Sequence, residues 1–184
     1  MLEMTLEPGD LSPIEANLLL SGIFLDTNQF TKNTGVRTFG AALYLRGEGA
    51  DPIEVQELFR PSADDCIREL TFVTDIQIYY DAIAISKYTG ETVESDKIAI
   101  AKAANRILGV APVHAAFVLC RIGGEVRVSA RSDGTINVQK ILEDALGGGG
   151  HFDAAAAQIK DKTLDEAEEI ILSACAAYLG KQLP

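Results

Sequence analysis

Tryptophan is absent from this 184-residue chain, histidine occurs only twice and cysteine three times. Cys66, Cys120 and Cys175 are odd in number, widely spaced and contain no CxxC pair. That excludes a disulfide or zinc framework and suits free thiols in a reducing cytosol. Basic residues are scarce: 16 Lys and Arg stand against 27 Asp and Glu, a formal net charge of −11. Binding along a duplex nucleic-acid backbone needs the opposite balance. A small phosphorylated ligand remains open to the chain if local arginines or metal ions neutralise it. No long hydrophobic run is present. The most apolar stretch, residues 17–25, is interrupted and far too short to span a bilayer, and no signal peptide precedes it. With only six prolines and no low-complexity tract, the chain has 47% apolar residues, enough to bury a core in one or two units. Residues 1–10 carry no clear period, and that abrupt start reads as a piece of a longer protein.

Most of the chain is readily divided into elements. Ser12-Pro13-Ile14-Glu15 is a capping box with proline at the first helical position, opening a helix that weakens near Gly22. Residues 37–46 read as a second helix with Phe39, Ala42 and Leu43 on its inner face, and Asp51-Pro52 opens a short third one. Residues 61–64 mark the boundary, and residues 65–75 predict a connecting helix carrying Ile67, Leu70 and Val73. Residues 76–88, β-branched and aromatic, read as one strand, and residues 96–108 as an amphipathic helix. The pair Gly123-Gly124 between two apolar runs makes a hairpin. In its second strand Arg127, Ser129 and Arg131 alternate with Val126, Val128 and Ala130. Asn137 caps a helix, residues 155–160 form a strand, and Thr163-Leu164-Asp165-Glu166 opens a last helix ending at Gly180. Its inward positions are Leu164, Ala167, Ile171, Ala174 and Tyr178. The fold class is α/β, a mixed sheet preceded by a mostly helical segment.

Three clusters carry chemistry. Gly147-Gly148-Gly149-Gly150-His151 can expose backbone N–H groups as an anion nest, with His151 as a further donor; a flexible connector is the plainer reading. Arg131-Ser132, followed by Asn137, can clamp a phosphate, or can be a solvated hairpin end with a helix cap. One helix crossover would bring Arg131, Ser132 and His151 to one side of a sheet. Asp26 faces the negative end of a helix dipole, which a divalent metal would compensate; an Asx-turn explains it as well. One carboxylate does not make a metal site. His114 reads as structural, Arg37 as a phosphate contact or a surface ion pair, and Asp64-Asp65 as a solvated helix start.

In this order the clusters resemble the DHH phosphoesterase superfamily. Asp26-Thr27-Asn28-Gln29-Phe30 is similar to the last metal-binding motif of its catalytic domain, and residues 129–151 to the DHH-associated C-terminal domain. Residues 31–39 and 152–158 resemble the cyclic-di-AMP phosphodiesterase branch, whose members are membrane-anchored with PAS and degenerate GGDEF domains upstream. The resemblance implies that residues 1–62 are the tail of the catalytic domain, 63–75 a connector and 76–184 the substrate-binding domain. It implies two manganese ions, one or both held by Asp26, and a cytoplasmic cyclic dinucleotide or short oligonucleotide as substrate. Arg131, Ser132, Asn137, Gly148, Gly149, Gly150 and His151 would hold that substrate, with Asn28 and Arg37 as further contacts. The upstream histidine-and-aspartate and DHH motifs are not in this chain, so it is expected to lack activity alone. The helical tail would be the less stable part or would pair with a second copy through Leu18, Leu19 and Phe24. An oligoribonuclease or phosphoadenosine phosphatase, or a nucleotide-binding module without catalysis, are the alternatives.

Overall fold

The box at Ser12 closes in both directions: Glu15 N–H donates to Ser12 Oγ at 3.4 Å, and Ser12 N–H donates to Glu15 Oε2 at 2.9 Å. It starts α1 (Pro13–Asp26) in a computed structural model that describes residue 7 and residues 9–181. Most of the segment lacking a period, residues 1–6 and 8, lies outside the described residues, as do residues 182–184. The chain divides between Pro61 and Ser62 into two compact units.

The first unit holds α1, α2 (Val36–Gly47) and α3 (Pro52–Glu57) around a small core of Ala16, Leu20, Leu45, Ala50 and Val55. α1 does not weaken at Gly22. Leu20, Ile23 and Phe24 pack into that core, which offsets the roughly 1 kcal/mol that a mid-helix glycine costs. The inner face expected of α2 is also revised. Leu45 is buried, whereas Phe39 and Leu43 are 54% and 75% exposed, because apolar residues surround most of this helix and its period does not choose a face. Phe24, expected on an outer face with Leu18 and Leu19, turns inward between the rings of Phe30 and Phe59.

The second unit begins with α4 (Ala63–Thr71) and carries β1 (Ile76–Tyr79), β2 (Ile83–Tyr88), α5 (Asp96–Leu108), β3 (Ala115–Ile122), β4 (Glu125–Ser132), α6 (Val138–Leu146), β5 (Gly149–His151), β6 (Ala154–Ile159) and α7 (Leu164–Leu179). The strands form one mixed sheet in the order β1-β2-β3-β4-β6-β5. β2 and β3, joined through α5, run parallel; the other neighbours are antiparallel. Residues 76–88 are two strands rather than one, since Tyr80 and Asp81 adopt positive φ (59° and 54°) and turn the chain without a glycine. α6 and α7 cover one face over Ile85, Phe117, Leu119, Val128 and Ala130. α5 covers the other over Ala84, Ala116, Val118 and Cys120. Buried Cys120 and Cys175 have thiols pushed up to about 12 by desolvation, so both stay protonated. Tyr178, expected inward on α7, is 39% exposed and accepts the Asn137 N–H with its hydroxyl.

α4 packs on α5 through charge as well as apolar contact, and the face read as inner is turned outward: Ile67 and Leu70 are exposed while Glu69 and Phe72 are buried. Arg68 Nε donates to Asp96 Oδ1 at 2.5 Å and Arg106 Nε to Glu69 Oε1 at 2.5 Å. Asp96, 1% exposed, also accepts the Val93 N–H at 2.7 Å. The Arg68 guanidinium holds its carboxyl below the usual range against the opposing effect of burial. Asp96→Asn leaves the Arg68 charge without its partner and should cost about 3 kcal/mol at pH 7. Because the folded-state pKa is depressed, the wild-type advantage is present above the ordinary carboxylate range and is lost as pH falls through the folded value. Urea unfolding of both proteins should give a gap that narrows below about pH 4; a gap independent of pH would refute this account.

Candidate functional site

The period of two along β4 puts Arg127, Ser129 and Arg131 on the α5 face of the sheet and Val126, Val128 and Ala130 in the opposite core. β6 is paired in register, so Arg131 lies opposite Ala154, Ser129 opposite Ala156 and Arg127 opposite Gln158. β5 continues the rows, with His151 opposite Ala154 and Gly149 opposite Ala156. Arg131, Ala154 and His151 therefore form one row across three strands, with Arg131 and His151 about 10 Å apart, two strand spacings. The methyl group between them leaves room above it for a ligand.

On this face α5 covers β3 and β4 but leaves β6 and β5 open, so an open cleft of about 740 Å³ runs beside the helix. Lys97 and Ile100 of α5 form its wall, and the small residues of β6 and β5 its floor. Lys97, Arg127 and Arg131 line the cleft and none of its lining residues is acidic, although Lys97 pairs with Glu94 and Arg127 Nη2 lies 3.6 Å from Glu125 Oε2 just outside it. Arg131 Nη1 donates to the Ala130 carbonyl at 2.8 Å. Burial pushes its pKa down and Asp153 acts the other way, so this is a partly desolvated cation, the state in which a guanidinium binds an anion most strongly.

The glycines divide their work. Gly147 is left-handed (φ 64°) and ends α6, and the N–H groups of Gly147 and Gly148 donate to the Glu143 and Leu142 carbonyls. Half of the expected nest is thus a helix cap, and residues 149–151 form the edge strand. A Cβ on Gly148 would lie 2.7 Å from the Ala156 carbonyl oxygen, and one on Gly150 (φ 150°) 2.4 Å from that of Ala154. A Cβ on Gly149 would meet nothing within 4 Å. The fold thus requires glycine at 148 and 150, while at 149 the empty space belongs to the cleft.

The other expected site residues stand apart from this row. Ser132, one position beyond Arg131, faces the opposite side of the sheet, fully buried, because alternation sends neighbours to opposite faces. Asn137 spends its side-chain oxygen on the Lys140 N–H at 3.0 Å as the cap of α6. His114, read as structural, is half exposed and pairs through Nδ1 with Asp133 Oδ2 at 2.7 Å. In the first unit Asp26 is exposed at the end of α1, and Asn28 Nδ2 donates to Thr31 Oγ1 within its own turn. Arg37 is exposed in the first turn of α2. Among the described residues no group of three or more His, Cys, Asp or Glu is arranged to hold a metal ion. Lys97, Arg127 and Gln158 were not expected in the site. Strand alternation pointed to Arg127, but nothing local shows that α5 brings Lys97 beside it.

The chain belongs to the DHHA1 domain family, whose sequence pattern matches residues 83–179, more than half its length. It is 44% identical over 169 residues to the cyclic-di-AMP phosphodiesterase GdpP of Geobacillus thermodenitrificans, covering 91% of this chain and 25% of that one. Against the cyclic-di-AMP phosphodiesterase PdeA of Listeria monocytogenes the identity is 46% over 167 residues, covering 90% and 25%. The chain thus spans about a quarter of the length of these relatives. Among solved structures, an exopolyphosphatase-related protein from Bacteroides fragilis superposes with a TM-score of 0.77 at 21% identity, covering 92% of this chain and 52% of that one. That likeness shows the fold. No helix among the described residues is long and apolar enough to cross a membrane.

The two kinds of glycine separate by substitution. Gly150→Ala should lower stability by roughly 1–3 kcal/mol, since the backbone it meets must shift. Gly149→Val should leave stability within about 0.5 kcal/mol. Denaturant unfolding of both variants checks this, and equal losses would show that residue 149 is also packed.

Proposed function

We propose that this chain is the substrate-binding portion of a cyclic-di-AMP phosphodiesterase, an enzyme hydrolysing a cyclic dinucleotide to its linear product. The observation that carries the reading is the row of Arg131, Ala154 and His151 beside the glycine strand, in a cleft whose lining holds no carboxylate. The activity of the relatives named above suggests the substrate. A phosphate seated over Ala154 would be reached by the guanidinium from one side and the imidazole from the other. Gly149 lets the phosphate approach the strand, and among the described residues no further strand pairs with the outward edge of β5. The cleft's role is to bind and orient the phosphodiester and to exclude part of its water.

Hydrolysis itself would be served by metal ions, manganese in this reading, which activate water and stabilise charge on phosphorus when bound. The described residues do not compose such a centre, and Asp26 alone would not hold an ion. We place residues 1–62 as the tail of the catalytic domain, with Asp26 as one ligand and Asn28 and Arg37 as nearby contacts, in a protein anchored to the membrane and acting in the cytoplasm. Self-association through Leu18 and Leu19, 59% and 39% exposed, belongs to the same reading.

Calorimetric titration with cyclic-di-AMP and the linear dinucleotide tests it. Binding should weaken at least tenfold in His151→Ala and in Arg131→Met, and be blocked in Gly149→Val, while the chain alone turns over neither ligand in Mn²⁺. Unchanged affinity in both charge variants, or turnover by the chain alone, would overturn the proposal.

A further inference from the structure

Ser132, the serine next to Arg131 in the chain, is fully buried on the opposite face, where its Oγ accepts the Gly134 N–H at 3.4 Å. A different serine stands beside the guanidinium. Ser129 lies two residues before Arg131 on the same face of β4 and lines the cleft. It is 4% exposed, so its hydroxyl has little access to water and must find its partners in the protein or in a ligand. The protein supplies one of them. Arg131 Nη1, which donates to the Ala130 carbonyl at 2.8 Å, lies 3.5 Å from Ser129 Oγ, a long bond in which the hydroxyl is the acceptor. Among the described residues the Ser129 O–H donates to no group. A hydroxyl beside a cation turns its oxygen toward the charge and its hydrogen away. The row that Ser129 begins is open, since Ala156 opposite it is exposed and a Cβ on Gly149, one strand further, would meet nothing within 4 Å.

Resting on the phosphate site proposed above, we propose that Ser129 is a further substrate-binding residue, whose hydroxyl donates to an oxygen of the phosphate held between Arg131 and His151. Charge-assisted hydrogen bonds from a hydroxyl or a guanidinium to a phosphate run about 2.5–2.9 Å, so a hydroxyl 3.5 Å from the guanidinium can end on the same phosphate. The Arg131 charge behind the hydroxyl polarises it and strengthens it as a donor. The guanidinium keeps further N–H donors besides Nη1 for the other oxygens. Because the contact is to phosphate and not to sugar or base, it acts alike on every ligand that carries a phosphate. The serine of the clamp is thus the one that strand alternation puts on the arginine's face, not the one adjacent to it in the chain.

Calorimetry on this chain with inorganic phosphate, ribose 5-phosphate and the linear dinucleotide tests the assignment, with Ser129→Ala, Ser132→Ala and Arg131→Met as variants and urea unfolding as the check on folding. Ser129→Ala should lose about tenfold for all three ligands. It should unfold at the wild-type midpoint, since a single 3.5 Å bond adds little to the fold. Ser132→Ala should bind all three as the wild type does, and Arg131→Met should weaken all three. If Ser129→Ala binds every ligand as the wild type does while Arg131→Met loses them, the serine contact is refuted and the phosphate site stands. A loss in Ser129→Ala confined to the dinucleotide would put the serine against the nucleoside and refute the contact equally. If Arg131→Met leaves binding intact, or the wild type binds none of the three, the phosphate site falls and the serine contact with it.

Discussion

The pairing of β6 between β4 and β5 is the constraint on which the rest of the site depends. Val126, Val128 and Ala130 of β4 and Ala155 and Ala157 of β6 are buried beneath α6 and α7. A one-residue slip in β6 would move Ala154, Ala156 and Gln158 into that core, and the same slip in β4 would bury Arg127 and Arg131 there. Burying those charges unpaired would cost far more than any contact regained. The hydrophobic face of the sheet thus holds the polar face in register, and the cleft inherits the positional precision of a packed core. The glycine strand is fixed by the same device, because Gly148 and Gly150 lie close against β6 where no Cβ fits.

Local signals were legible wherever a cap or a period sufficed. The hairpin around Gly123-Gly124 spans the expected strands, α5 has the expected bounds, and Asn137 and Thr163 cap the helices they precede. What escaped the sequence depends on tertiary neighbours. Tyr80 and Asp81 turn at positive φ with no glycine to announce it. Glu69 is buried because Arg106 meets it, and no pattern on α4 says so. The four glycines read as one nest, yet two of their N–H groups close α6. Ser132 beside Arg131 looked like part of one clamp, although strand geometry forbids neighbours from sharing a face. Arg127 was visible in the alternation but carried no mark of function until the helix wall stood beside it.

The first unit places its functional candidate by strain rather than by packing. Asn28, Gln29 and Phe30 all have positive φ (45°, 58° and 62°), a conformation costing of order 1–3 kcal/mol per residue in non-glycine positions. Buried Thr27 holds the turn: its hydroxyl donates to the Ile23 carbonyl at 2.7 Å and accepts the Phe30 N–H at 3.0 Å. Phe30 is then stacked on Phe39 with centroids 5.5 Å apart and packed against Phe24. Strain kept by this many restraints is usual where a side chain must stand in one place. Here the turn directly follows Asp26, the residue proposed to reach a metal.

Charge distribution bears on how the phosphorylated ligand proposed above would be accepted by an acidic chain. The net charge of −11 acts over the whole surface, but salt screens it within about 8–10 Å. A long polyanion must lie against much of that surface and meets repulsion along its length. A dinucleotide needs only the cleft, where Lys97 and Arg127 are paired with Glu94 and Glu125 and partial burial of Arg131 keeps its field from being screened. The same arrangement that would admit the proposed phosphodiester disfavours duplex nucleic acid. Selectivity for size would then follow from where the cations sit.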